Sequence, residues 1–447
     1  MELPVGVWGH YGFSSSPYST SALQVAGADE TLLVGRDQEL RTVLRDLISG
    51  TQMVALEGDY GVGKSSLAAV AASTASRWRQ ARDSIAPLFL APGRPLELEE
   101  KDTASSLERR AYFQVAGSIL ANEDRLIREG INLTQLNEFR YWLTTPTGGG
   151  WSAGIGASFP AVIGTNLSIG RTRSSNTSTG FTESGVITLI DSWLAAIFVT
   201  PEAGGVILLL DNLEVLSRFT KGVQLFESLR DRLFKRQGLR WIISGAEGTV
   251  RAALSTPKMS GVFPEPIDIA PLPHDLVKLV IARREEAFRV RSDAKLPVSP
   301  SAFEDAYAAT GRNLRIALGL AERFSLRTEP GDMAWMTPEE RDARFWAWTV
   351  NEGEKVIKQI SDKVTDKQWK VLTTLVTDLD GFATSANAGD FGYKSLSSFQ
   401  AHVQALAALR LVNYTADEQD GRRRIITATE TGRLAVASRP SSSVPGK

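Results

Sequence analysis

The sequence predicts an α/β fold in which a parallel sheet carries helices on its faces, followed by a mainly helical C-terminal part. Three observations predict it. Met53–Leu56, Val206–Leu210 and Trp241–Ile243 are short apolar runs, as expected of strands buried on both faces. Segments of helical period separate these runs, as crossover helices do in a parallel sheet. Residues 272–350 have a helical pattern throughout.

Composition limits what the chain can do. It has 447 residues with 50 Lys+Arg against 51 Asp+Glu, a formal net charge of -1, so any surface for nucleic acid must be a local patch. There are no cysteines, which excludes disulfides and zinc–thiolate sites. No apolar run approaches about 18 residues, and the N-terminus lacks a basic region followed by an apolar one. We therefore expect no membrane span, no signal peptide and a cytoplasmic location.

One motif carries the chemistry. It matches G-x-x-x-x-G-K-[ST] in full and reads Gly58, Asp59, Tyr60, Gly61, Val62, Gly63, Lys64, Ser65. The glycines let successive backbone N–H groups point at phosphate oxygens, and the next helix, with Ser66 in its first turn, offers its N-terminus to the same anion. Lys64 adds a positive charge for the β- and γ-phosphates, and Ser65 a hydroxyl for magnesium. The sequence therefore predicts a phosphate-binding loop (P-loop) for ATP and Mg²⁺.

The second half of such a site is a carboxylate at the end of another buried strand. Asp211 directly follows Val206–Leu210 and is expected to hold magnesium, through water. Hydrolysis also needs a group that activates the attacking water. Asn212 cannot act as a base, and Glu214 is the nearest carboxylate. Glu214 is either this activator or a loop or helix-capping acid, in which case hydrolysis is slow.

These motifs, with others in the same order, resemble the AAA+ ATPases, nearest the branch of origin-recognition and replication-initiator proteins and the related STAND regulators. Val34–Leu40 is similar to the "V-G-R-x-x-E-L" stretch that lies by the adenine, which implies nucleotide contacts for Gly35 and Arg36. Gly12–Tyr18 resembles the short arm before it. The resemblance covers about residues 10–330.

The same resemblance implies two phosphate sensors. Ser244, in Ile242–Gly245, stands at the polar position of the sensor-1 strand, and Arg315, in Gly311–Arg315, at that of the sensor-2 helix. The alternatives are a strand-end hydroxyl that caps a turn and an ordinary exposed helix arginine. Relatives often carry an arginine finger where this chain has Lys258. The residues that could supply the arginine finger instead are Arg251, Arg230, Arg232 and Arg236. A homo-oligomer is implied, with inter-subunit catalysis left open.

We predict the following organisation: a nucleotide-binding domain at 1–270, a helical lid at 271–350, a winged-helix domain at 351–438 and a disordered tail at 439–447. Within the first domain, residues 1–30 are an ordered arm because they are rich in aromatics. Residues 147–180 are rich in Gly and Ser and contain Arg171 and Arg173. They form either an inserted β-hairpin or a disordered surface insertion.

The C-terminal block has the order helix, helix, helix, hairpin of a winged helix, which the initiator-type ATPases also carry. In a DNA-binding role, helix 395–411 enters the major groove. The residues predicted to face DNA are Lys394, Ser397, Ser398, Gln400 and His402, and those predicted to grip phosphate are Arg422, Arg423 and Arg424. Few bases lie on that helix, and Glu418 and Asp420 stand beside the arginines, so docking of a protein is the alternative.

Two functional hypotheses follow. The first is an ATP-dependent switch that assembles on double-stranded DNA and is reset by hydrolysis, in replication, mobile-element maintenance or defence. The second is a signalling or scaffold ATPase that binds proteins and regulates an effector in antiviral defence. Salt-dependent affinity for DNA separates them.

Overall fold

The computed structural model describes residues 6–25, 30–50, 53–81, 86–99, 101–144, 183–218, 222–333, 335–379, 381–416 and 424–438. These residues fall into two compact units. The sheet unit lies within Ala22–Asp59 and Gly63–Ile269, and the C-terminal unit within Met1–Ser21, Tyr60–Val62 and Ala270–Lys447. The predicted insert at 147–180, the wing turn with Arg422 and Arg423, and the tail lie outside the described residues.

The strands are β1 Met53–Glu57, β2 Leu88–Leu90, β3 Leu96–Glu97, β4 Gly204–Asp211, β5 Leu239–Gly245, β6 Ile267–Asp268, β7 Phe382–Thr384, β8 Val412–Ala416 and β9 Arg424–Ala428. The α-helices are α1 Val7–Tyr11, α2 Asp37–Ile48, α3 Lys64–Ala81, α4 Ala104–Ala121, α5 Glu123–Arg128, α6 Leu136–Thr144, α7 Glu183–Ile197, α8 Gly222–Leu229, α9 Thr249–Leu254, α10 Val277–Phe288, α11 Pro300–Ala309, α12 Leu314–Arg327, α13 Pro330–Met333, α14 Pro338–Ile360, α15 Asp366–Thr377, α16 Leu396–Ala408 and α17 Glu430–Ser438. Further single turns are Glu30–Leu32, Pro201–Ala203, Leu213–Arg218, Arg230–Phe234, His274–Leu276 and Ser385–Gly389.

The sheet unit is built on a parallel sheet in the order β2-β4-β5-β1-β6, with β3 also paired to β4. β1 and β5 are buried along their whole length, and β4 up to Leu210. This confirms the parallel sheet that the three apolar runs predicted. β3 and β6 have only two residues each, too few to give a sequence signal, and they were not predicted.

Local signals explain where the helices begin. α2 has Asp37 and Glu39 in its first turn, where negative charge is favourable. Thr103 caps α4 in a reciprocal box with Ser106, and Thr337 caps α14 in the same way with Glu340. In the described residues no helix is both long and apolar enough to cross a membrane.

In the C-terminal unit the N-terminal arm packs against the helical segment that follows residue 270. The buried Tyr18 hydroxyl donates to the Val298 carbonyl at 2.6 Å and accepts from the Val298 N–H at 3.0 Å. The buried Arg284 side chain donates to the carbonyls of Pro17 (3.3 Å) and Ser19 (2.8 Å). The arm's aromatics therefore form part of a core, as predicted, but that core belongs to the C-terminal unit.

The C-terminal block, residues 361–438, forms its own core. α15, α16 and α17 surround a three-stranded antiparallel sheet in the order β7-β9-β8. The first helix of the block, α15, ends at Thr377, and residues 382–384 form β7. The remaining elements follow the order predicted for a winged helix.

Candidate nucleotide-binding site

The carboxyl ends of three adjacent strands define the site in the sheet unit. β5 lies between β1 and β4, with Leu56 of β1 beside Ser244 and Leu210 of β4 beside Ile243. This register brings Asp211, at the end of β4, next to Ser244. The P-loop leaves β1 at the same edge, because the carboxyl ends of parallel strands lie together.

Asp211 connects the predicted residues. Its Oδ2 accepts a hydrogen bond from Ser65 Oγ at 2.5 Å, and its Oδ1 accepts one from Ser244 Oγ. The same Oδ1 accepts the Asn212 N–H at 3.0 Å. The hydroxyls of Ser65 and Ser244 therefore both contact the carboxylate of Asp211.

The P-loop has the backbone geometry that phosphate binding needs. Gly61 and Gly63 have φ of 84° and 101°, which glycine adopts at little cost. α3 begins at Lys64, so the N–H groups of its first turn lie next to the loop. Lys64 Nζ donates to the carbonyls of Gly58 and Asp59, each at 2.8 Å. The ammonium is thus held against the loop by neutral groups.

These donors fit magnesium and ATP. Mg²⁺ prefers carboxylate, hydroxyl and phosphate oxygens. Asp211 supplies a carboxylate and Ser65 a hydroxyl, and Asp211 Oδ2 and Ser65 Oγ lie 2.5 Å apart. Ser65 and Asp211 would hold a Mg²⁺ ion there, and its charge would offset that of the phosphates. Ser66 is also predicted to contact nucleotide. Its hydroxyl accepts a hydrogen bond from the Leu23 N–H at 3.2 Å. Its oxygen is therefore used to tether the segment before α2.

Gly35 and Arg36 lie at the start of α2. Gly35 has φ of 67°, and the buried Arg36 forms an ion pair with Glu39 at 3.0 Å. Their predicted position by the adenine stays a prediction.

The acids near the loop have different surroundings. The Glu214 backbone lies in the Leu213–Arg218 turn, and its side chain is outside the described residues. Glu247 follows β5, and burial raises its pKa, with the nearby carboxylates of Asp59, Glu57 and Asp268 adding to the effect. A carboxyl with a raised pKa beside a phosphate loop is a second candidate for proton transfer. Sequence reasoning missed Glu247, since no motif marks it.

Arg315 lies in the C-terminal unit, on the first turn of α12. Its guanidinium contacts Tyr60, one of the three P-loop residues that belong to the same unit. Sequence reasoning gave Tyr60 only a backbone role in the loop, because the motif leaves that position unspecified.

The candidate finger residues are all engaged within the chain. Arg230, Arg232, Arg236 and Lys258 pair with Asp231, Glu108, Asp191 and Glu227, respectively. Arg251 pairs with Asp268 at 3.0 Å and with the buried Glu57, which also accepts the Arg251 N–H at 3.0 Å. Exposed ion pairs contribute only about 0–1 kcal/mol to stability, so the exposed Lys258 can most readily leave Glu227 for another partner. Arg251 is the least available as a finger, because it also pairs with the buried Glu57.

The predicted DNA contacts lie on and around α16. Lys394 and Ser397 are exposed, whereas Gln400 and His402 are half-buried. The His402 ring lies against Tyr393, with ring centroids 5.4 Å apart. Successive residues turn by about 100°, so Gln400 and His402 lie on opposite flanks of α16, and their contact with DNA stays a prediction. Arg424, which opens β9, is exposed.

Comparison with known proteins gives likeness in chain path alone. No protein-family model matches the chain, and no curated protein matches it. Three similar solved structures are Orc1 of Aeropyrum pernix in complex with DNA (TM-score 0.42, 14% identity, 94% of this chain and 98% of that chain), a Walker-type ATPase of Pyrococcus abyssi (0.46, 12%, 94% and 99%) and Cdc6p from Pyrobaculum aerophilum (0.39, 13%, 94% and 96%). The observed strand order and the P-loop motif give the sheet unit an α/β fold with a central parallel sheet and a P-loop at its carboxyl edge.

Proposed function

We propose that this chain is an ATP-dependent switch that binds ATP with Mg²⁺, hydrolyses it, and engages double-stranded DNA as a homo-oligomer. One observation carries the nucleotide part: the Asp211 carboxylate accepts hydrogen bonds from the hydroxyls of both Ser65 and Ser244. A carboxylate and two hydroxyls that meet at the mouth of a P-loop form an oxygen-rich site for a hard cation. Each of the three was predicted from a separate stretch of sequence.

The test of the nucleotide part starts with Lys64→Ala. This change removes the charge that offsets the β- and γ-phosphates and leaves the backbone cradle in place, so ATP affinity should fall at least tenfold, or about 1.4 kcal/mol. Lys101→Ala is the matched control, because Lys101 is an exposed lysine of the sheet unit paired with Glu99. Calorimetry that gives equal affinities for Lys64→Ala and wild type would refute the site.

Asp211→Asn tests the metal part of the same site. The amide keeps the size of the side chain and loses the negative charge that attracts Mg²⁺. Wild-type protein should bind ATP more tightly with Mg²⁺ than with EDTA, and the variant should lose most of that difference. A variant that keeps the full magnesium dependence would show that the cation is held elsewhere.

The DNA part rests on charge and exposure in the C-terminal block. From Lys394 to Arg410 the chain has no acidic residue. The outward face of α16 presents small and uncharged side chains: Ser397, Ala401, Gln404 and Ala408, all exposed. Small side chains let a helix approach closely, and Lys394 and Arg424 add positive charge at its borders.

Salt dependence tests this part. Arg422→Ala with Arg424→Ala should weaken binding to all duplex sequences alike and reduce the log-affinity against log-salt slope by about 2, since each lost phosphate contact removes about 1. ATPase activity without DNA should stay unchanged. Arg171→Ala with Arg173→Ala is the matched control in the predicted insert. Loss of DNA binding in the insert variant alone would assign DNA to that segment.

A second candidate function is a scaffold or signalling ATPase that docks proteins through the C-terminal block. The observation that favours it is the neutral face of α16, which is bordered by the half-exposed Leu396. Wild-type protein that shows no salt-dependent DNA binding with ATP present would make this candidate the better one. Sedimentation of wild-type protein with and without ATP tests the homo-oligomer in either case.

A further inference from the structure

Arg251 connects two carboxylates at the strand ends where the P-loop begins. Its backbone N–H donates to Glu57 Oε1 at 3.0 Å, and its guanidinium Nε lies 3.5 Å from Glu57 Oε2. Its Nη2 donates to Asp268 Oδ1 at 3.0 Å and to Asp268 Oδ2 at 3.3 Å. Glu57 and Asp268 are partners in the β1–β6 register. Arg251 therefore bridges the ends of two adjacent strands from α9.

Glu57 caps α9 from a neighbouring strand. Only 1% of Glu57 is exposed. α9 begins after Gly248, which has no side chain to accept the N–H groups of the first turn, and these have no partner within the helix. The Glu57 carboxylate accepts one of them, the Arg251 N–H, in place of an N-cap side chain. A buried carboxylate charge is also stable only when it is paired, and the guanidinium of the same Arg251 pairs with it.

The backbone of Glu57 fixes the first residues of the P-loop. Its carbonyl accepts the Ile269 N–H at 2.7 Å. A Cβ on Gly58 would lie 2.4 Å from the Ile269 carbonyl oxygen, so the chain passes directly against the end of β6. The carbonyls of Gly58 and Asp59 then accept hydrogen bonds from Lys64 Nζ. The position of Glu57 therefore determines where Lys64 is held.

Negative charge collects at the same place. Burial raises the pKa of Glu247, the carboxylates of Asp59, Glu57 and Asp268 raise it further, and Arg251 lowers it. The phosphates of ATP are anions and are repelled by unpaired carboxylates nearby. Because Arg251 contacts Glu57 and Asp268 at once, it offsets charge that would otherwise oppose nucleotide binding.

We propose that Arg251 is a positioning residue for the P-loop: through Glu57 it holds the first residues of the loop in place, and it cancels the negative charge beside them. This inference rests on the proposed nucleotide-binding function. It assigns Arg251 to the ATP site of its own chain, whereas an arginine finger acts on the site of a neighbouring subunit.

The first measurement is ATP affinity by calorimetry in the full chain, with urea denaturation to confirm that each variant is folded under the same conditions. Arg251→Ala should weaken ATP binding about tenfold, the effect of one charge left unpaired in a partly buried site. Arg251→Lys keeps the charge and should recover most of that loss. Glu57→Gln keeps the hydrogen-bond acceptor and removes the charge, so Arg251→Ala should have little further effect in that background. Arg128→Ala, a change at an exposed arginine of the same unit, is the control.

The second measurement mixes Arg251→Ala with Lys64→Ala, which lacks the P-loop lysine and keeps its own Arg251. A positioning residue acts within its own chain, so hydrolysis in the mixture should not exceed that of Arg251→Ala alone. A clear rise would identify Arg251 as a finger and overturn the inference.

Two affinity results also overturn the inference alone. The first is an unchanged ATP affinity in Arg251→Ala while Lys64→Ala still loses binding, which leaves the proposed function intact. The second is an equal loss with and without the Glu57 charge, which would show that Arg251 acts on the nucleotide directly. Wild-type protein that binds no ATP refutes both the inference and the proposed function.

Discussion

Asn212 directly follows Asp211, and its backbone explains why a short polar residue is there. Its φ is 65°, in the left-handed region, which Asn visits more easily than most residues. Its N–H donates to Asp211 Oδ1 at 3.0 Å, and its carbonyl accepts the Val215 N–H at 3.0 Å. Both backbone groups are therefore committed, so the residue cannot relax to a right-handed conformation without loss of these bonds.

We predict that Asn212→Val destabilises the sheet unit and that Asn212→Gly does not. An ordinary side chain in the left-handed region costs about 1–2 kcal/mol, and a β-branched one is at the upper end. Gly carries no such penalty, and Asn212→Asp should also be tolerated. A loss of 1–2 kcal/mol corresponds to a factor of about 5–30 in the population of open states.

Native-state hydrogen exchange measures this population. Amides of β4 and β5 should exchange about 5–30 times faster in Asn212→Val than in Asn212→Gly. Asn137→Val is the matched control, because Asn137 is an exposed helical residue of the same unit and the two residues have similar helix propensity. Equal protection in Asn212→Val and Asn212→Gly would refute the argument from backbone strain.

Two further variants test catalysis and stability. Glu214→Gln should keep ATP binding and slow single-turnover hydrolysis by roughly 10²-fold, the scale of a lost general base. If the rate is unchanged in Glu214→Gln and hydrolysis is slowed in Glu247→Gln, the role of general base belongs to Glu247. Arg251→Ala should lower the free energy of unfolding of the sheet unit by about 1–3 kcal/mol, because it leaves the buried Glu57 carboxylate without its cation. In urea denaturation Arg251→Lys should recover part of that loss, and equal midpoints for Arg251→Ala and wild type would contradict it.

The central strands and the P-loop could be predicted because their signals are local. A strand buried on both faces must be apolar throughout, and a phosphate cradle needs glycine at fixed spacing before a helix. Asp211 followed from the same logic, since it ends such a strand. The contact of Asp211 with Ser244 depends on the β4–β5 register, which two separate strands do not reveal by themselves.

Features that depend on long-range packing were missed. Tyr60 and Asn313 are 253 residues apart, and nothing in either segment indicates the other. The arm, residues 1–30, was predicted as part of the nucleotide-binding domain. Its buried tyrosines pack instead with residues after 270, where Tyr18 finds both of its hydrogen-bond partners on Val298. Sequence order is a weak guide to which core an aromatic side chain joins.

The outward face of α16 is a different kind of miss, because the sequence contained enough to find it. Phe399, Val403 and Leu406 have helical spacing and are fully buried. At 100° per residue, the direction opposite to them is occupied by Ala401 and Gln404. Gln400 and His402, which were predicted to face DNA, lie on the flanks between these two directions. The burial pattern of a helix therefore has to fix its exposed face before side-chain chemistry can choose contacts on it.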